Sequence, residues 1–564
     1  MQRTRPFGLA TAALALLLST AAAPPASGAD LALPADAEQA AQAIGAASLA
    51  APIRFLASDE LEGRGPASRG DLLARAYLAS ELEALGLSPG GPNGLWQQSF
   101  DIVGIDATMP ATWTFSLGGK SVEWKKSDDY IAVSGVQAEK AVLENAEVVF
   151  VGYGIQAPEY RWDDFKGMDL KGKVLVMLNN DPEEDENLFA GKRRLYYGRW
   201  DYKYESAARQ GAAGAIIVHT TPSAGYPWQV VQTSWTGEQF ELPAGKEPRL
   251  EVAAWSTEEA AKRLFATAGF DLSLLMAQAQ RRDFRPIPLN ARTTLTLPVK
   301  IEKTTTANVL GLLPGGDPKL AGEVVVLSAH HDHLGVGEPD KDGDTIYNGA
   351  VDNAAGCAQV LAIAKAFAAL KERPRRSILF AFVAAEEQGL LGSKFYAEHP
   401  TFPPGKIAAN VNFDGGNIWG RTTDLTYIGL GKSSLDSVVK ALAADQGREV
   451  LPDQAPDRGF FYRSDQFSFA KIGVPAIYLD AGRKFRGKPE GWGKETQEKW
   501  EEIQYHQPSD EIADDWNYEG MIEDARLGFF SALSIANQDA MPSWTPGDEF
   551  EAARKQALAE VAGK

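Results

Sequence analysis

The spacing of apolar residues changes along the chain, and each change predicts a different kind of element. Residues 34–87 carry apolar positions at helical intervals. The run "LLARAYLASELEALGL" (72–87) is one case, with Gly86 near its end as a stop. The polar stretch "DELEGRGPASRGD" (59–71) predicts a break in that region. Residues 136–290 have another texture. "NAEVVFVGYGI" (145–155) and "GKVLVMLNND" (172–181) predict strands, and "YESAARQGAAGAIIVHTT" (204–221) predicts a helix, a glycine turn and a strand. This part reads as a small α/β or β-rich unit.

From about Leu297 strands and helices alternate. "EVVVLSAH", "RSILFAFVAAEE", "IAANVNFDGG" and "VPAIYLDAG" predict strands. "DNAAGCAQVLAIAKAFAALK", "GLLGSKFYAEHP", "LDSVVKALAADQG" and "DARLGFFSALSIANQ" predict helices. Strands this uniformly apolar are buried on both faces, so the fold class is α/β, a mostly parallel central sheet flanked by helices. The last residues, "AARKQALAEVAGK", predict an exposed terminal helix.

A length of 564 residues exceeds what one core serves and predicts two domains. A net charge of −19 argues against nonspecific nucleic-acid binding. Residues 1–29 read as a signal peptide: Arg3 and Arg5, an apolar run from Leu9 to Thr20 too short to span a bilayer, then small residues up to Ala29. No later segment is apolar enough to cross a membrane. An exported protein, in the periplasm or the medium, with no stable membrane insertion, is therefore expected. Cys357 is the sole cysteine, which rules out a disulfide within the chain, and its Ala-rich surroundings predict a buried, inert thiol.

Polar residues gather where the later strands end. His330, His331, Asp332 and His333 follow the first, Asp352 begins the next helix, Glu386 and Glu387 end the second strand, and Asp414 ends the third. Alone, Asp352 would be a helix cap and the glutamate pair a solvated strand end. Together they fall at the carboxyl ends of neighbouring strands, where α/β sheets bind ligands. Imidazole and carboxylate without thiolate suit Zn²⁺, or Mn²⁺ and Co²⁺ as substitutes. His506, in "YHQPSDE", offers a further imidazole, while His219 and His399 sit in ordinary strand and helix-end contexts.

In order, "SAHHDH", "NGAVDNAAG", "FVAAEEQGLLGS", "NFDGG", "RSDQFSFAKIGVPAIYL" and "YHQPSD" resemble the motifs of the two-zinc exopeptidases, the bacterial leucyl aminopeptidases and glutamate carboxypeptidase II among them. The resemblance covers residues 305–538. The stretch from "VFVGYGI" to "AAGAIIVH" resembles the protease-associated domain that some members carry inserted. It implies a first part of the peptidase domain over 30–135, the inserted domain over 136–290, the catalytic domain over 291–540 and a tail over 541–564.

Carried over residue by residue, the resemblance implies two zinc ions bridged by Asp352, one completed by His330 and Asp414, the other by Glu387 and His506. Asp332 would orient His330, Glu386 would be the general base, and Tyr505 would steady the oxyanion. A cis peptide is implied at Asp352–Asn353. His331 and His333 are not needed by the pattern and are expected to pack or line the cleft. Glu386 and Glu387 would point opposite ways because they alternate in an extended segment.

The function this implies is an aminopeptidase hydrolysing N-terminal residues from peptides. Rival readings are a glutamate carboxypeptidase-like enzyme, with Arg463 or the arginines of "KRRLYYGR" (192–199) holding a terminal carboxylate, a glutaminyl cyclase, and a non-catalytic receptor-like module. The filled ligand and base positions weigh against the last. Substrate side-chain preference and oligomeric state are not legible.

Overall fold

A computed structural model describes residues 31–185 and 188–563; the expected signal peptide over residues 1–29 lies outside the described residues. Strands Val324–His330, Ser377–Val383 and Ile407–Asn412 are buried at every position. They run parallel, with Val324–His330 between the other two, and Ala476–Ala481 continues the parallel set beyond Ile407–Asn412. Antiparallel partners close both sides: Val309–Leu313 beside Ser377–Val383, and Asp424–Ile428 beside Ala476–Ala481. Helices cover both faces. Gly356–Ala368 and Glu519–Asn537 share one apolar core with the N-terminal helices Ala46–Leu56 and Arg69–Ala84, through Leu49, Leu78, Val360 and Phe529. On the other face Tyr396 and Phe469 pack over Val324 and Val326. This is the expected α/β sheet. Among the described residues no helix is long and apolar enough to cross a membrane.

The polar break at residues 59–71 is a tie rather than a gap. Residues Asp59–Arg64 form a tight turn, and the fully buried Arg64 side chain donates to the carbonyls of His331 (2.8 Å), Asn348 (2.6 Å), Gly349 (3.0 Å) and Leu56. One guanidinium thus holds the histidine cluster to the turn that leads into Asp352. Replacing it leaves several buried carbonyls without donors, each worth roughly 1–3 kcal/mol. Arg64→Met is expected to lower stability by about 3 kcal/mol or more, read from urea unfolding; a loss below about 1 kcal/mol would mean water replaces the guanidinium.

A second sheet is built from Thr112–Leu117, Lys120–Lys125, Tyr130–Ser134, Lys140–Phe150, Val174–Leu178, Gly214–His219 and Val252–Thr257, with helices Trp200–Arg209 and Glu258–Thr267 against it. It therefore draws on residues ahead of 136. A single strand, Ile287–Leu313, passes through both sheets: its first part pairs with Lys140–Phe150, its later part with Gln97–Ala107 and then Ser377–Val383.

The terminal helix Glu551–Ala562 departs from the exposed helix expected of residues 552–564. Arg554 is buried, donating to the carbonyls of Pro542 and Ile407, and Ala557 packs against Gly405. An arginine in a polar-looking helix hides the docking, because its guanidinium serves buried carbonyls rather than water.

Candidate metal centre

The parallel strands deliver their carboxyl ends to one rim. His330 is the last residue of its strand and pairs in register with Val383, three residues before Glu386. Asp414 follows strand Ile407–Asn412, and Phe413 N–H donates to Ser328 O at 2.8 Å. Asp352 comes from the irregular turn Ala350–Ala355, where the Asp352–Asn353 peptide is cis. Asn353 locks that turn to the neighbouring strand end: its amide donates to Phe413 O, and its oxygen accepts from Gly356 N and Gly415 N. Glycine is required at two places. At Gly349 (φ +58°) a Cβ would collide with Asp352 O and the His333 ring, and at Gly356 with Phe413 O and the Asn353 side chain.

Four distances define the centre. His330 Nε2 lies 3.2 Å from Asp352 Oδ1 and 3.3 Å from Asp414 Oδ1. His506 Nε2 lies 3.2 Å from Asp352 Oδ2 and 3.1 Å from Glu387 Oε2. Asp352 thus turns one oxygen to each imidazole. Ligand atoms of His330, Asp352 and Glu387, and of His330, Glu386 and Asp414, lie within 4.8 Å of one another. Such a buried to half-buried set of nitrogen and oxygen donors, rich in carboxylate, fits divalent cations of the zinc kind.

The electrostatics separate the adjacent glutamates. Burial, reinforced by Asp414 and Glu387 against the pull of His330, pushes the Glu386 carboxyl well above the usual range. Glu387 is buried too, but His506 and His333 outweigh burial and hold it at about 2. His506 is raised to about 10 despite burial, because Glu387 and Asp352 favour its cation. Two neighbouring carboxyls pushed in opposite directions is the pattern of an acid–base group beside a permanently charged one.

The glutamates do not alternate along a strand, as the sequence suggested. The strand ends at Val383, Ala385 has φ +57°, and the pair lies in the turn beyond. Asp332 fixes that turn, accepting from Glu386 N at 3.0 Å and Glu387 N at 3.3 Å, while its backbone carbonyl lies 3.2 Å from His330 Nδ1. Tyr505 lines the cleft with its ring 4.0 Å from that of His506, and its hydroxyl accepts from Arg463 at 3.3 Å.

Several contributors escaped sequence reasoning. His333 does more than pack: its Nδ1 is 2.7 Å from Glu387 Oε1. Asp510 accepts from Val351 N and Asp352 N, holding the bridging turn. It stands inside "YHQPSD", and its place in that motif was the available signal. Within residues 460–469, Phe460, Arg463 and Ser464 line the cleft, while Phe467 and Phe469 pack in the interior. Arg199 of "KRRLYYGR" also lines it, whereas Arg194 donates to Asn180 and Ser223 instead. Cys357 is buried, and burial pushes its thiol up to about 12, consistent with an inert role.

His331 anchors the cluster from behind, its Nε2 2.9 Å from Asp71 Oδ1; Asp71 also accepts from Arg75 (3.0 Å) and Thr306 (2.9 Å). Burial works against the Asp71 charge, but His331, Arg75 and Thr306 outweigh it and hold the carboxyl below its usual value. A carboxyl depressed on folding stabilises above its unfolded pKa of about 3.9 and loses that contribution as pH falls through its folded value. Asp71→Asn should therefore cost about 3 kcal/mol near neutrality, with the gap to wild type closing as pH drops below about 4. Urea midpoints across pH test this, and a pH-independent gap would rule out the charge as the cause.

Residues 308–530 match the sequence profile of Peptidase family M28. Leupeptin-inactivating enzyme 1 of Streptomyces exfoliatus is 27% identical over 254 residues, 44% of this chain and 52% of that protein. Leucine aminopeptidase 2 of Trichophyton equinum is 29% identical over 242 residues, 41% of this chain and 43% of that protein. The chain thus spans about half the length of the curated relatives it matches. Among solved structures, the aminopeptidase from Aneurinibacillus sp. strain AM-1 shares the fold, with a TM-score of 0.53 at 20% identity, covering 91% of this chain and 98% of that one. The segment that matches the M28 profile, residues 308–530, is the one that carries His330, Asp352, Glu386, Glu387, Asp414 and His506.

Proposed function

We propose that the chain is an exported two-zinc aminopeptidase that releases N-terminal residues from peptides. The observation that carries this reading is Asp352, whose two carboxylate oxygens face His330 on one side and His506 on the other. His330, Asp352 and Asp414 would hold one ion, and Asp352, Glu387 and His506 the other; manganese or cobalt would suit the same donors. When bound there, paired zinc ions lower the pKa of water and polarise the scissile carbonyl. Glu386 takes the proton of the attacking water and passes it to the leaving amine. Asp332 and Asp510 fix the turns that bear these groups, and Tyr505 offers its hydroxyl to the developing oxyanion. In the same reading residues 136–290 are a protease-associated domain that narrows the cleft, and residues 1–29 direct export. The relatives named leucine aminopeptidase support the reaction class.

Arg463 favours one rival. It lies half-buried in the cleft wall over the rings of Tyr226 and Phe460, and among the described residues its Nη1 has no hydrogen-bond partner. A cation so placed suits a terminal carboxylate, as a carboxypeptidase would need. Product identification separates the two. Short unblocked peptides should lose N-terminal residues in a reaction that a chelator stops and zinc restores. Release from the C-terminus would transfer the assignment to the carboxypeptidase, and intact peptides despite bound zinc would end both.

A further inference from the structure

Among the described residues, helix Trp228–Ser234, packed on the core of the second sheet through Val231, reaches the centre through one side chain. Helix Trp228–Ser234 lies over the cleft, and Ser234, its last residue, places its hydroxyl oxygen 2.9 Å from His506 Nδ1. The other ring nitrogen of His506 faces Asp352 and Glu387. Beside this contact, Gln229 on the same helix donates to Gln507 at 3.1 Å. His506 itself stands at φ +57°, a conformation that a non-glycine residue keeps only where its surroundings impose it.

We propose that Ser234 is a positioning residue for the metal centre, so that the second unit sets the tautomer and aim of a ligand held by the first. The proposal rests on the two-zinc reading given above. An imidazole that ligates through Nε2 must keep its proton on Nδ1, and that proton needs an acceptor. The Ser234 hydroxyl supplies it. Without it the ring is free to rotate or to take the other tautomer, with a proton where the lone pair is required. Asp352 and Glu387 cannot substitute, because both lie on the Nε2 side.

The experiment is chelator-competition titration of zinc on the full chain, comparing wild type with Ser234→Ala, Ser234→Thr, Gln229→Ala and His506→Ala. The expected result is a loss of about 10–100-fold in affinity for one of two ions in Ser234→Ala. The other ion should be unaffected and the melting temperature of the metal-free protein unchanged. Ser234→Thr, which keeps the hydroxyl, should restore wild-type affinity, and Gln229→Ala should match wild type. If His506→Ala loses one ion while Ser234→Ala binds both as tightly as wild type, the positioning role is overturned and the two-zinc reading stands. If Ser234→Ala weakens both ions equally and threonine does not rescue it, the serine is structural and the proposal also fails. If His506→Ala binds zinc as wild type does, the two-zinc reading falls and takes the proposal with it.

Discussion

Glu386→Gln is expected to lower kcat by about 10²–10⁴-fold while zinc content and melting temperature stay at wild-type values. The substitution keeps shape and hydrogen-bonding reach but removes the ability to accept a proton. Its backbone would stay in place, because Asp332 holds Glu386 N–H rather than the side chain. The surroundings favour a proton-transfer role. Burial and the carboxylates of Asp414 and Glu387 raise the Glu386 carboxyl well above its usual range, which makes it a stronger base than an ordinary carboxylate. Steady-state kinetics with metal analysis decide the matter. A kcat within about tenfold of wild type would place the base elsewhere. Loss of zinc would instead make Glu386 a ligand, a role its closeness to His330 and Asp414 allows.

Asp352→Ala should be the most damaging change at the centre, abolishing hydrolysis and weakening zinc at both positions. Asp414→Ala and His506→Ala should each weaken it at one. The reason is charge as well as donor count. Among the described residues Asp352 is the carboxylate that meets both His330 and His506, so under the two-zinc proposal its removal would take a negative charge from between two dications. Zinc titration with activity measurement distinguishes the cases. An Asp352→Ala protein that loses only one ion would show that the two positions do not share this residue.

The centre was readable in the sequence because its parts sit at repeating places, the ends of apolar strands that a parallel sheet must align. His330 ends such a strand and Glu386, Glu387 and Asp414 follow others, so their convergence at one rim needed no knowledge of loops. The parallel sheet was readable for the same reason. What escaped are the contacts that cross long stretches of chain. Arg64 reaches His331 over 267 residues, His331 reaches Asp71 over 260, and Ser234 reaches His506 over 272. No periodicity marks these residues, since each acts through one side chain from a turn, a helix end or a polar helix face. The turn at Ala385 escaped as well, because an alanine at positive φ leaves no trace in composition.

The strand Ile287–Leu313 has a mechanical consequence. It is a beam shared by two sheets, with no loop at the crossing to serve as a pivot. Along its later part Gln97–Ala107 lies beside it in unbroken register from Val299 to Val309, which stiffens the joint. The wall that carries Ser234 and Trp235 therefore cannot swing away from the rim as a door would. Under the proposed function, admission of a peptide would come from bending this beam or from local movement of Trp228–Ser234. An excision that leaves the beam intact but removes residues 136–286 would strip Tyr130–Ser134 of its partner Val252–Thr257.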